Sequence, residues 1–184
     1  VDVNRLVEET LSTLSVHADF EGVAAVTSFK EPLPPVVIDE RKLRQVFINL
    51  LLNAAHSMDS ISGVKTVDIE TGTERREANT ERPRRRRDDP RLSAGPDAHS
   101  GTRDFVYIRF ADHGVGINED SAKQIFEPFY TTKGVGRGTG LGLFVSRSII
   151  KTYGGEITLQ TRPGEGSVFT VSLPVKEGHE NTDN

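Results

Sequence analysis

Two hydrophobic periods alternate along this chain. Val3, Leu6, Val7, Leu11 and Leu14 fall on one helical stripe behind Asp2, predicting a capped helix over 3–15. Residues 23–29 (VAAVTSF) predict a strand, PLPP at 32–35 a loop, and 36–38 a short strand. Asp39 is placed to cap a long helix running to about Met58. Residues 64–73 and 104–111 alternate apolar with polar positions and predict the two strands of one hairpin. Residues 118–126 predict a short helix. Leu141, Phe144, Val145, Ile149 and Tyr153 mark another helix, ended by Gly154 and Gly155. Two strands, 156–161 and 167–173, close the pattern around RPGEG.

The pattern breaks over 74–103. This stretch holds nine arginines and six acids, and its only apolar residues are Ala78, Leu92, Ala94 and Ala98. Such a segment buries too little surface to offset its ordering entropy, so it is expected to be a disordered, Arg-rich insertion in the hairpin turn. Its run Arg84–Arg87 meets Asp88 and Asp89 at once. A solvated, acid-balanced loop is therefore expected, with no direct nucleic-acid contact. The domain is expected to run from 1 to 174, with 175–184 a polar tail. Cysteine is absent, which excludes disulfides, thiolate metal sites and cysteine nucleophiles and suits a reducing, cytoplasmic setting. No apolar run reaches the roughly 18 residues of a membrane span. The chain starts at Val1, so it is expected to be a piece of a longer protein.

Chemistry concentrates in three places. The helix at 40–58 is apolar on most sides, with Leu43, Val46, Phe47, Leu50 and Ala54 as its core stripe. Gln45, Asn49, Asn53 and His56 share one polar stripe within it. Interior asparagines are poor helix formers, costing up to about 0.7 kcal/mol each against Ala. They serve either as amides bonded to neighbouring backbone or as an oxygen face for Mg²⁺. Asp112-His113-Gly114-Val115-Gly116 follows a strand directly. A strand-end Asp can cap a turn. A buried one can also accept from the exocyclic amine of adenine and repel the carbonyl of guanine. Gly134, Gly136, Gly138, Gly140 and Gly142 alternate through a loop that opens onto a helix. That suits either a flexible linker or a phosphate cradle at a helix N-terminus, with Lys133 and Arg137 adding positive charge.

In order and spacing, these segments resemble the catalytic, ATP-binding domain of sensor histidine kinases. This is the GHKL or Bergerat-type ATPase superfamily shared with type II topoisomerases, heat-shock chaperones and mismatch-repair proteins. RQVFINLLLNAAHSM (44–58) looks like the N box, and DHGVGI (112–117) like the first glycine box. FEPFYTT (126–132) looks like the F box, and GRGTGLGL (136–143) like the second glycine box. The FEPFYTTK wording resembles the nitrogen-regulation subtype. The resemblance implies a two-layer α/β sandwich: a mixed, largely antiparallel sheet of about five strands covered on one face by about three helices.

It also implies roles. Asn53, with Asn49, would hold Mg²⁺ on the phosphates of ATP, with His56 nearby. Asp112 would bind the adenine amine, beside Gly114, Gly116 and Ile117. Phe126 and Phe129 would anchor a mobile lid that includes Thr132. Gly138, Thr139, Gly140, Leu141 and Gly142 would contact phosphates, with Lys133 and Arg137 at the γ-phosphate. His56 stands where many members carry Lys, Ser57 where many carry Tyr, and His113 where Asn is common. Hydrolytic relatives place a Glu four residues before the metal-binding Asn. Asn49 cannot take a proton there at neutral pH, so ATP would be held for transfer, not for rapid hydrolysis.

The implied partners are ATP, an upstream helical dimerisation and phosphoacceptor domain of the same or a paired chain, and indirectly a response regulator. None of the five histidines lies before an acid on a regular helix. The fragment alone is therefore expected to be monomeric and not to phosphorylate itself, and the parent to be a homodimer, with or without a membrane anchor. Two other readings share the motifs: a nucleotide-binding module without transfer, and an anti-sigma-type serine kinase.

Overall fold

The computed structural model describes residues 1–77, 102–131 and 139–175. A five-stranded sheet, ordered β1-β2-β3-β5-β4, carries all the helices on one face. Its strands are β1 (Val23–Ser28), β2 (Lys65–Glu77), β3 (Thr102–Asp112), β4 (Glu156–Arg162) and β5 (Gly166–Pro174). Only β1 and β2 are parallel. Four α-helices are described: α1 (Val3–Leu14), α2 (Glu40–Ser57), α3 (Glu119–Gln124) and α4 (Gly142–Thr152), with one 3-10 turn at Ala18–Phe20. Of these, α3 is the short helix expected over 118–126, six residues long.

Alternation along the strands sets the two layers. Val67, Ile69, Val106, Ile108, Phe110, Phe169, Val171 and Leu173 point into the core. Against them α2 buries Leu43, Val46, Phe47, Leu50, Leu51, Ala54 and Ala55. Phe47 and Phe110 meet with ring centroids 5.5 Å apart across the two layers. Asp2 and Asp39 cap α1 and α2 by accepting from the backbone N–H of Arg5 and Lys42.

Three boundaries differ from expectation. β2 runs to Glu77 and β3 starts at Thr102, so the ends of the Arg-rich stretch are strand. Paired charges make this workable: Arg75 bonds Asp104 across the hairpin at 2.9 Å, and Arg76 reaches Glu74 at 2.7 Å and Glu156 at 3.2 Å. Composition alone misses such cross-strand partners. The body of the insertion, 78–101, lies outside the described residues, as does the tail from 176. Val175 belongs to the domain and not to the tail, since it bridges Val36 and donates to the Asp104 carbonyl. In place of the strand expected at 36–38 there is this single bridge residue, Val36, which also exchanges backbone hydrogen bonds with Val1 and follows Pro34 and Pro35, residues without N–H groups. Among the described residues, no helix is long and apolar enough to cross a membrane.

Candidate functional site

The site is built where the C-terminal half of α2, the end of β3 and the start of α4 converge. Asn49 is half-buried on α2, and its amide nitrogen donates to the Gly142 carbonyl at 3.2 Å and the Ser146 hydroxyl at 3.1 Å. These bonds join α2 to the first turn of α4 and leave Oδ1 as the acceptor end of the side chain. Asn53 and His56 follow on the same half-buried face. His56 Nε2 lies 3.9 Å from the Asp19 carboxylate. Gln45, from the same stripe, is exposed.

Asp112 is only 4 % exposed at the end of β3. Burial pushes its carboxyl above the usual carboxylate range. The Ser57 hydroxyl, the backbone N–H groups of Gly114 and Ser167, and the neighbouring His113 pull the other way. Ser57 Oγ lies 2.8 Å and the Gly114 nitrogen 2.9 Å from Oδ1. His113 points to the opposite, exposed side and pairs with Asp68 at 2.8 Å.

The loop after Asp112 is held at both walls. Val115 donates to the Ser57 carbonyl and accepts from the Gly164 N–H. Ile117 N–H donates to Thr161 Oγ1, which donates onward to the Gly166 carbonyl. The glycines are required by these close approaches. A Cβ on Gly114 would lie 2.2 Å from Ser57 Oγ, and one on Gly116 would lie 2.0 Å from the Arg162 carbonyl oxygen.

Phe126 and Phe129 behave differently. Phe126 packs edge-on against Phe169 and under the Arg147 guanidinium, 5.0 Å from its ring centroid. The Phe129 side chain is 73 % exposed, and its attachment is through its backbone, which bonds Gly140. Thr139 accepts from the Leu141 N–H at 3.4 Å. Leu141 at the N-cap of α4 makes no side-chain capping bond among the described residues. Thr132, Lys133, Arg137 and Gly138 lie outside the described residues.

A cleft of about 960 Å³ takes in Asp112, Ile117, Phe126, Thr161 and Ser167. Its described lining omits Asn49, Asn53, His56 and Gly140–Gly142. The cleft is thus the Asp112 end of the site. The hydrogen bonds of Asn49 and Ser57 are what join that end to the α2 and α4 faces. Sequence reasoning treated Ser57 only as a departure and did not single out Ser146, Arg147, Thr161 or Ser167. These are short polar residues or a lone cation on regular elements, with no spacing signal of their own.

Comparison with known proteins bears on the family and the fold. Residues 38–177 match the family model described as histidine kinase-, DNA gyrase B-, and HSP90-like ATPase. Sporulation kinase E of Bacillus subtilis is 31% identical over 99% of this chain and 20% of its own length. Sensor histidine kinase ZraS of Salmonella typhimurium is 31% identical over 95% of this chain and 31% of its own length. The chain thus spans a fifth to under a third of these relatives. Their names carry no mark of the nitrogen-regulation subtype. The fold matches the catalytic domain of histidine kinase ThkA, solved without nucleotide (TM-score 0.66, 23% identity, 96% of each chain). It also matches full-length ShkA in complex with AMPPNP (TM-score 0.66, 24% identity, 97% of this chain and 31% of that one). The chain belongs to the histidine kinase-, DNA gyrase B- and HSP90-like ATPase family.

Proposed function

We propose that this domain binds Mg-ATP and donates the γ-phosphate to a histidine on an upstream helical domain, within two-component signalling. The observation that carries the reading is the buried Asp112 carboxylate. Two donors pin one of its oxygens, and it is bonded through Ser57 to the same helix that bears Asn49 and Asn53. A fixed acceptor in a site of low exposure recognises the adenine amine and leaves a guanine carbonyl unpaired.

The donor set fits Mg²⁺ carried by a nucleotide. Among the described residues, no group of three or more His, Cys, Asp or Glu could hold a metal ion. The carboxamide oxygens of Asn53 and Asn49 are hard ligands of the kind that supplement water and phosphate around Mg²⁺. When bound, the ion would neutralise phosphate charge. Gly140, Leu141 and Gly142, with Gly138 and Thr139, would present backbone and hydroxyl donors to the phosphates. Lys133 and Arg137 would meet the γ-phosphate, and His56 would add a polar edge. Thr132 and the segment after Phe129 would cover the nucleotide. Asn49 has no ionisable group to activate water, which favours transfer over hydrolysis.

The named relatives are sensor and sporulation kinases, which favours transfer over a purely nucleotide-binding role and over serine phosphorylation. Mixing the domain with its helical partner domain and γ-labelled ATP tests the reading. Acid-labile phosphate on a partner histidine is expected. A nucleotide-loaded domain that yields no phosphohistidine would sink it, and acid-stable phosphate on the partner would point to the serine reading.

A further inference from the structure

Ser57 stands between two acceptors. Its hydroxyl lies 2.7 Å from the Ala54 carbonyl and 2.8 Å from Asp112 Oδ1. One hydroxyl carries one proton, so it serves one acceptor at a time. The competition arises at the last turn of α2, where the Met58 N–H turns to Ala55 and His56. The Ser57 backbone is fixed as well, because its carbonyl accepts from Val115. Gly114 leaves the space that the hydroxyl occupies, since a Cβ there would collide with Ser57 Oγ.

We propose that Ser57 is a specificity-determining residue for the nucleobase: by donating to Oδ1 it keeps Asp112 an acceptor toward the ligand. This rests on the reading of Asp112 as the adenine-binding group. When the Ser57 proton is on Oδ1, beside that of the Gly114 N–H, the carboxylate presents lone pairs and no proton. A base with an exocyclic amine completes the set. A base with a carbonyl at the same position meets an acceptor facing an acceptor. Without the Ser57 donor, Oδ1 keeps the Gly114 N–H, 2.9 Å away. A carboxyl that donates to a carbonyl-bearing base is then less disfavoured. The other groups facing this carboxylate are the Ser167 N–H and His113, and His113 is itself paired with Asp68.

The test compares ATP with inosine triphosphate, whose base carries a carbonyl where adenine carries its amine. Calorimetric affinities for both are measured on wild type, Ser57→Ala and Ser57→Thr. The ratio of two affinities on one variant cancels any loss of folded protein. Wild type is expected to favour ATP, Ser57→Ala to lower that ratio about tenfold, the worth of a hydrogen bond to a charged group. Ser57→Thr, which keeps the hydroxyl, is expected to restore it. An unchanged ratio in Ser57→Ala overturns the inference, including when both nucleotides weaken equally. A Thr variant that behaves like Ala also overturns it. A wild type that binds both nucleotides alike overturns the Asp112 reading itself, which separates the two failures.

Discussion

The backbone N–H of Phe129 donates to the Gly140 carbonyl over 3.0 Å, and both residues hold a left-handed backbone, with φ of 66° and 65°. A Cβ on Gly140 would lie 2.4 Å from the Phe129 carbonyl carbon. The two ends of the F-box-to-glycine-box segment are therefore joined backbone to backbone, with no room for a side chain between them.

This junction separates two substitutions of opposite sign. Phe129→Gly removes a left-handed strain worth about 1 kcal/mol and an exposed ring, so urea unfolding should show a stability gain of that order. Gly140→Ala forces a Cβ into backbone and should destabilise by about 1–3 kcal/mol while weakening ATP binding.

Burial makes the Asp112 carboxylate a stability liability. Its folded carboxyl titrates above the ordinary value of about 3.9. As pH rises through that interval the unfolded chain loses this proton first, so ionisation favours unfolding. Asp112→Asn removes the effect. Its stability relative to wild type should therefore grow as pH climbs above 4 and level off once the folded wild-type carboxyl is ionised. Urea midpoints for both proteins from pH 4 to 8 measure the difference. A gap that shrinks with rising pH would contradict the assignment.

Gly114→Ala should damage the fold and the site together. The nearest atoms to the new methyl are Ser57 Oγ, O and C, the last two being backbone at the end of a packed helix. A loss of about 1–3 kcal/mol is expected. By contrast Gly22→Ala meets open space and should lose only the roughly 1 kcal/mol of a left-handed φ. Thermal melts of the two variants decide between crowding and backbone strain as the cause.

The two F-box phenylalanines should also part company. Phe126→Ala removes a ring packed on Phe169 and Arg147 and should cost about 2 kcal/mol or more. Phe129→Ala truncates an exposed ring and should change stability by no more than about 0.5 kcal/mol.

Much of this fold was legible because period and capping agree. The stripe Leu43, Val46, Phe47, Leu50 and Ala54 is buried as its spacing predicts, and Asp2 and Asp39 cap the helices they precede. The alternation around 64–73 and 104–111 did not extend through Glu74–Glu77 and Thr102–Arg103, where the residues are mostly charged and Arg75 and Arg76 find acidic partners at Asp104, Glu74 and Glu156, which period cannot express. At the site, motif order pointed to Asp112 and the α2 asparagines. It could not show that Asn49 spends its amide protons on Gly142 and Ser146, or that Ser57 faces Asp112. Both are contacts between residues more than fifty positions apart. Nor could motif order show that Gly114 and Gly116 are demanded by close approaches of the protein's own atoms, at Ser57 and at the Arg162 carbonyl.

The central claim is that Asp112 reads adenine within a Mg-ATP site. Equilibrium titration of ATP, ADP and GTP, with and without Mg²⁺, on wild type and Asp112→Asn tests it most directly. The account predicts that both adenine nucleotides bind wild type, that GTP does not, and that Asp112→Asn loses ATP affinity by about 100-fold or more. Equal affinity of wild type for ATP and GTP, or an Asp112→Asn variant that binds ATP as wild type does, would contradict it.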